Sequence, residues 1–570
     1  MQALNWIDWI VLLATLFGIV IYGTWQTRGS KNVQDYIKGG STSKWWTIGL
    51  SVMATQASAI TFLSTPGQAF NDGMGFVQFY FGLPIAMVVI CMVFIPLYHR
   101  LNVYTAYEFL ENRFDLKTRT LTAILFLIQR GLSAGITIFA PAIILSVVLG
   151  WNLILLNIII GALVIVYTVS GGTKAVNVTQ KHQMAIIFIG MFAAFFIIIA
   201  KLPQDITFTK ALQIASVSDK MNILDFSFDF NNRYTFWSGI IGGTFLMLSY
   251  FGTDQSQVQR YLSGKSVKEM QLGLLFNGLL KVPMQFFILL VGVMVFVFYQ
   301  FNQAPLNFNP NATEFILNSE FAEDYKLLQE EETHIFQNKQ EHITSYIQSR
   351  NSDDAQAIIL ANKANDALRD KAKALIAQAA DKEKIKIEKN DVDYVFIHFI
   401  LNNLPRGLIG LLLAVILCAA MSSTSSELNA LGSTTTMDLY KRNTGEKTED
   451  HMVKASKWFT FLWGLIAIGV ACIANLAENL IQLVNIIGSI FYGNVLGIFL
   501  LAFFFKFVKG QAVFIGALFT QIIVIALYLL DLYDYINLPF LWLNFVGCAI
   551  VITIAVIIQL STKNDRTITN

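Results

Sequence analysis

Charge is scarce in this chain. Only 14% of its 570 residues are Asp, Glu, Lys or Arg while 55% are hydrophobic, which excludes an ordinary water-soluble multidomain protein. The mean hydropathy of +0.55 points the same way, toward a polytopic membrane protein. A net charge of +2 is too small to imply an acidic or basic partner. Cysteine is scarcer still: Cys91, Cys418, Cys472 and Cys548 stand singly in apolar segments, which excludes a disulfide framework and a CxxC metal or redox site. The histidines, His99, His182, His334, His342, His398 and His451, are scattered and lack the HExxH spacing of a zinc hydrolase. With no cluster of catalytic groups, the chain does not read as an enzyme. The first apolar run, Ile7–Trp25, has no basic leading segment and carries Asp8, so it reads as a retained span rather than a cleaved signal peptide.

What is present is a succession of apolar windows about 20 residues long, the length that crosses a hydrocarbon core, recurring about thirteen times. They are Ile7–Trp25, Trp45–Phe70, Phe76–Tyr98, Thr118–Leu149, Asn152–Val169, Gln183–Ala200, Tyr234–Leu262, Leu272–Phe301, Leu404–Thr436, Phe459–Ala474, Leu480–Phe505, Ala512–Leu530 and Phe540–Leu560. The fold class expected is an all-α polytopic membrane protein, with eight spans in residues 1–301, a charged helical insertion in 302–395, and five spans with a short tail in 396–570. Lys and Arg gather in alternate short connections: Arg28, Lys31, Lys38 and Lys44; Arg100, Arg113 and Lys117; Lys174 and Lys181; Arg260, Lys265 and Lys268. They recur at Lys441, Arg442 and Lys447, at Lys506 and Lys509, and at Lys563 and Arg566. The connections between, Asn71–Gly75, Gly150–Trp151, Glu478–Asn479 and Asp531–Asn537, carry none. Positive residues stay inside, so the N-terminus is expected outside, the C-terminus in the cytoplasm, and the protein in the plasma (inner) membrane. The insertion then lies outside; its many lysines do not contradict this, because long loops cross largely regardless of charge.

Polar residues inside these windows carry the functional signal. Ser422, Ser425, Ser426, Asn429 and Ser433 recur at helical spacing and line one face of the ninth span with oxygen. Lipid offers them no water, so they must meet backbone, another helix or a hard cation; close helix packing with hydroxyls bonded to the preceding turn is the rival account. The second span, WWTIGLSVMATQASAITFLSTPGQAF, is rich in Ser, Thr and Gln, and unwinding near Ala54–Thr61 would free carbonyls for a cation. The alternative is an unbroken buried polar helix. In the seventh span the run Gly252–Gln257 interrupts the apolar pattern and contains Asp254. Asp254 is either functional at membrane depth or a helix end in water. Arg130 and Lys281 also fall in long apolar runs and need a carboxylate or an aqueous cavity, with Asp254 a partner for either. Spans two and seven, five apart and both interrupted, fit the first helices of two inverted repeats.

Several motifs then coincide: TAYEFLENRF at Thr105–Phe114, IFAPA at Ile138–Ala142, GGTKAVNVTQKHQ at Gly171–Gln183, NNRYTFW at Asn231–Trp237, DQSQVQRYLS at Asp254–Ser263 and SSTSSELNALGSTTTMDLY at Ser422–Tyr440. With them the chain resembles the sodium/solute symporter family, from the first span to about Lys509 and excluding the insertion. IFAPA, NNRYTFW and QSQVQRY are similar to the branch of iodide, monocarboxylate and multivitamin carriers, whereas TDQ before VQR and Lys281 are similar to the sugar carriers. The resemblance implies an inverted-repeat core of the leucine-transporter class and a co-transported sodium ion. It implies a main sodium site of the Ala54, Ala57 and Ala419 carbonyls with the Ser422 and Ser423 hydroxyls. A second sodium site in some relatives would match Ser425 and Ser426 with an Asp, but Gln180 stands in that place, which favours one ion. The solute positions implied are Gln56, Thr61, Asp254, Lys281 and Asn485; apolar Ile60 and Val484 stand where sugar carriers have polar residues, so galactose is not implied. The expected function is sodium-coupled symport of a small organic solute, such as a sugar, sugar acid or monocarboxylate, into the cell by alternating access. A proton-coupled carrier is the nearest alternative. A sensor built on the same module would need a signalling domain where only STKNDRTITN follows Leu560.

Overall fold

The computed structural model describes residues 4–26, 33–229, 232–385, 387, 390–445, 447–474 and 480–565. Arg28, Lys31, Asn231, Glu478, Asn479 and Arg566, named above, lie outside them. In chain order the helices used below are α1 (Trp6–Gln26), α2 (Trp45–Gln56), α3 (Ala59–Asp72), α4 (Leu116–Leu149), α5 (Leu153–Ala200), α6 (Gly243–Gly252), α7 (Gln255–Tyr261) and α8 (Val267–Phe301). After them come α9 (Ala322–Ser349), α10 (Ser352–Glu383), α11 (Leu408–Thr434), α12 (Glu449–Ile473), α13 (Leu480–Phe504), α14 (Gly510–Leu532) and α15 (Phe540–Asp565).

Ten helices among the described residues are long and apolar enough to cross a membrane. The remaining windows are explained by breaks. The first and seventh survive as the shorter apolar helices Trp6–Ile19 and Ser238–Gly252, and the second is split, its first half forming α2 and its second half joining the third window in the run Ala59–Leu101. The protein is therefore a multi-pass helical membrane protein. Helix α11 is its centre, packed against α5, α4, α2 and α3, while α13, α14 and α15 form an outer group. Nearly all of α11 is buried, which is why its face can be polar without meeting lipid.

Two segments differ from the sequence expectation. Residues 170–182, expected as a connection, are helical on either side of Gly172, where φ +59° and ψ −166° leave the helical region, so α5 is two spans, Leu153–Lys174 and Val176–Ala200, meeting at a kink; an added Cβ on Gly172 would meet Tyr36 at 2.7 Å. Burial of Asn177, Thr179 and Gln180 against polar neighbours lets this hydrophilic stretch stay helical inside the bundle. The ninth window is likewise preceded by a separate short helix, Val395–Asn403, and α11 begins only after Gly407. Asp8 at the start of α1 accepts from the N–H of Gly407 (2.6 Å) and of Gly410 (3.4 Å) and pairs with Arg406 (3.2 Å), tying α1 to α11.

The insertion is a hairpin of α9 and α10. Arg350, left-handed at φ +54°, ends α9, and the Asn351 side chain caps α10 by accepting from the Asp353 N–H at 3.1 Å. Acidic pairs open both helices, Glu323 with Asp324 and Asp353 with Asp354, and complement the helix dipoles. The chain leaving the hairpin lies directly on α3: a Cβ on Gly67 would sit 2.0 Å from the Val392 carbonyl oxygen, so only glycine fits there.

Candidate sodium and solute site

The helix carrying Ala54 breaks at Gln56–Ser58. Ala57 (φ −84°, ψ 77°) and Ser58 (φ −79°, ψ 175°) leave the helical region before α3 begins. The Ser58 N–H turns to the Gln56 carbonyl (3.1 Å) and the Thr61 N–H to the Ser58 carbonyl (3.0 Å). The carbonyls of Ala54 and Ala57 thereby lose their helical donors. Ser422 on α11 stands opposite, its hydroxyl directed at the Ala54 oxygen at 3.4 Å.

The oxygen face of α11 divides. Ser425 and Ser426 donate back to the Ser422 carbonyl at 3.0 and 3.1 Å, and Ser433 to that of Asn429 at 2.7 Å, as the packing account expects. Asn429 instead reaches across to the Thr173 hydroxyl at 2.8 Å. Ser423 also bonds back, to Ala419 at 3.1 Å, yet its side chain lines a cavity beside the break. A hydroxyl that donates its proton to a carbonyl keeps its lone pairs. The oxygens observed at the break, the Ala54 carbonyl with the Ser422 hydroxyl and the Ser423 hydroxyl on the cavity wall, are hard ones, the chemistry of an alkali cation rather than a transition metal.

Next to them Gln180 on α5 fills the place considered for a second ion. Its amide N–H groups donate to the hydroxyls of Thr55 and Ser426 (both 3.1 Å) and to the Ser422 carbonyl (3.4 Å), and its oxygen accepts from Ser51 at 2.5 Å. A neutral donor occupies the oxygens that a cation would use.

The cavity is lined by Gln56, Thr61, Tyr80, Ser423 and Asn485 on its more polar side and by Ile60, Met247, Ile481 and Val484 on its apolar side. Its empty space, open mouth included, is about 690 Å³. The Gln56 side-chain oxygen is buried there without a partner. Of the sequence-derived solute residues, Gln56, Thr61 and Asn485 reach this wall, whereas Asp254 and Lys281 are not among its lining residues. Lys281 is fully buried, its ammonium without a hydrogen-bond partner and 5.9 Å from the ring centre of Tyr80.

Asp254 sits at a second break, Thr253–Asp254, between α6 and α7, where it caps α7 by accepting from the N–H (2.9 Å) and hydroxyl (2.6 Å) of Ser256. Its other oxygen accepts from Tyr492 (3.0 Å) and from Arg130. Asp254 is buried, so the reading of a helix end in water does not hold. Arg130 lines the cavity with its charge already shared: one terminal nitrogen is on Asp254 and the other on Glu427 at 3.0 Å, while the second Glu427 oxygen accepts from Thr137 at 2.8 Å. The freed carbonyls at this break are taken, Gly252 by the Tyr98 hydroxyl at 2.8 Å and Thr253 by that of Tyr107 at 3.0 Å. At the first break the Ala54 carbonyl meets only the long contact from Ser422 at 3.4 Å among the described residues. Glu427, Tyr492 and Thr137 were not singled out from sequence; the available signal was spacing, since Glu427 lies one helical turn beyond Ser423.

Comparison with known proteins agrees with this architecture. A sodium-coupled monocarboxylate transporter 1 from Xenopus laevis is 28% identical over 509 residues, 89% of this chain and 69% of that protein. The Homo sapiens sodium/iodide cotransporter is 31% identical over 292 residues, 51% of this chain, and the match spans less than half of the human protein, 44%. In three dimensions the chain superposes on a Na+-coupled sialic acid symporter with a TM-score of 0.74 at 22% identity, covering 97% of this chain and 98% of that one, so the two share the inverted-repeat fold. The Sodium:solute symporter family matches residues 36–320 and 372–523, omitting part of the hairpin. The chain therefore belongs to the sodium:solute symporter family, and it is a transporter rather than an enzyme.

Proposed function

We propose that the protein takes a small organic solute into the cell together with sodium, by alternating access around the broken helix α2–α3. The observation that carries this reading is the pair of carbonyls released at Ala54 and Ala57, with Ser422 directed at that of Ala54 and Ser423 lining the cavity beside the break. Sodium bound by Ala54, Ala57, Ala419, Ser422 and Ser423 bridges the break to α11, and so holds the cavity in a shape the solute fits. The solute meets Gln56, Thr61 and Asn485; Asp254 acts on the cavity through Arg130, and Lys281 from behind Tyr80. One sodium per cycle follows from Gln180, whose amide replaces the carboxylate a second ion would need, so Ser425 and Ser426 serve packing. Relatives of the chain are named for monocarboxylates and iodide, and a neighbour in fold for sialic acid, which supports a monocarboxylate, sugar or sugar acid as solute.

Orientation follows the positive residues, with the N-terminus and the hairpin outside, the C-terminus in the cytoplasm and the plasma membrane as location. The contact of Asp8 with Gly407 supports the first part, because it joins the start of α1 to the chain that returns from the hairpin. A proton-coupled cycle is less well supported: every contact named for Asp254 is with a donor, and Arg130 already neutralises it. The test is Ser422→Ala with Ser423→Ala in reconstituted protein. Loss of sodium affinity with normal expression is expected; unchanged sodium affinity would remove the site.

A further inference from the structure

A second cavity lies under the hairpin and shares no lining residue with the first. Helix α3 joins the two, with Ile60 and Thr61 on the wall of one and Phe70 on that of the other. The second cavity holds about 860 Å³ of empty space, mouth included. Phe70, Phe296 and Tyr299 give it an aromatic side, while Lys220, Lys339 and Arg369 give it a basic one.

Arg369 is paired with Asp391, but Lys220 and Lys339 are not answered by carboxylates in the ordinary way. Lys339 is 2% exposed and its ammonium donates to the neutral amide oxygen of Asn362 at 3.1 Å. Lys220 donates to the Asn71 carbonyl and lies 5.0 Å from the centre of the Phe296 ring. Neither forms a salt bridge among the described residues. The two wall carboxylates, Asp219 and Asp366, are exposed, and buried Glu332 is engaged by Gln303. Burial draws the Lys339 ammonium down to about 8 in spite of the pull of Glu332 and Asp366. Three buried polar atoms of wall residues also lack a partner among the described residues: the side-chain oxygens of Gln300, a residue 3% exposed, and of Asn365, and Nε of Arg369, 7% exposed, whose Nη2 is on Asp391 at 2.6 Å. A buried donor or acceptor without a partner is rare and needs one.

We propose that this cavity is a second binding site, for a small organic acid whose carboxylate meets Lys339 and the free Nε of Arg369 and whose neighbouring hydroxyl or amino group donates to Gln300. The apolar part of the ligand packs on Phe70, Phe296 and Tyr299. Because the two cavities share no residue, the site stands whether or not the proposed transport cycle is right.

The test is equilibrium binding of radiolabelled lactate to the purified full-length protein in nanodiscs, with propionate as the analogue lacking the hydroxyl. Lys339→Met and Gln300→Leu should each weaken by about tenfold the lactate binding measured in sodium-free buffer, where the sodium-dependent solute site is not formed. Propionate should bind wild type more weakly than lactate, and that difference should vanish in Gln300→Leu. Should Lys339→Met not fold, Lys339→Arg keeps the charge and should retain binding while Lys220→Gln weakens it. Lactate binding that is lost in Thr61→Val and indifferent to Lys339 would place the acid in the solute cavity and overturn the proposal. Absence of saturable binding to wild type would overturn it as well.

Discussion

Ser422 and Ser423 matter because of what faces them, not because they are serines. Their neighbours Ser425, Ser426 and Ser433 carry the same hydroxyl on the same helix and spend it on the preceding turn, while Ser422 looks at a carbonyl released by a broken helix. Replacing both by Ala should raise the sodium concentration needed for half-maximal uptake at least ~10-fold, a loss of about 1.4 kcal/mol or more, with expression unchanged. Gln180 makes the complementary prediction. Gln180→Asp would exchange a donor for a carboxylate beside the Ser426 hydroxyl and the Ser422 carbonyl, so the sodium dependence of uptake should steepen from a Hill coefficient near 1 toward 2. A coefficient that stays near 1 would mean that this pocket accepts no cation. At this scale the sequence was informative wherever a polar side chain is costly in an apolar run, which is how Ser422, Asp254 and Arg130 stood out, while Gln180 was marked by the family resemblance alone. It could not say which hydroxyls are satisfied internally, nor that Glu427 would share Arg130 with Asp254, because those are facts of neighbouring helices.

Breaks are what turn helices into a site here, and they occur twice with opposite outcomes. At Gln56–Ser58 no tyrosine hydroxyl takes up the freed carbonyls, whereas at Thr253–Asp254 those of Tyr98 and Tyr107 do. The second break is fixed further by the buried group Asp254, Arg130 and Glu427, which ties α7 to α4 and α11. Removing the shared cation should be far worse than removing one anion. Arg130→Met leaves two buried carboxylates uncompensated and should cost about 3–5 kcal/mol, seen as a large fall in melting temperature. Asp254→Asn leaves one Arg with one Glu and should cost less; the reverse order of melting temperatures would refute this account of the network. Neither break has a Pro or Gly at its centre to announce it; the first reads Gln-Ala-Ser, and only the density of polar residues around it hinted at unwinding. The continuation of α5 through residues 170–182 was hidden for the converse reason, since a polar stretch inside a bundle looks like a connection until its partners are known. The hairpin, by contrast, was legible from charge and helical composition alone.

For the molecule as a whole, the proposed cycle makes the central α11 and the flanking cavity one device, in which sodium at the broken helix would shape the solute site. Its energetics are sufficient. One sodium crossing about 100 mV contributes roughly 2.3 kcal/mol, and a tenfold sodium gradient about 1.4 kcal/mol more, enough to concentrate a neutral solute on the order of several hundredfold. For a monoanion the electrical contribution cancels and only the gradient remains, so the dependence of accumulation on voltage reports the charge of the solute. The central claim is that sodium is the coupling ion. The most direct measurement is uptake into proteoliposomes of a panel of labelled sugars, sugar acids and monocarboxylates, with an inward sodium gradient or with a proton gradient in sodium-free buffer. Accumulation of one solute class with the sodium gradient and none with the proton gradient alone is the predicted result; equal accumulation from a proton gradient without sodium would contradict it.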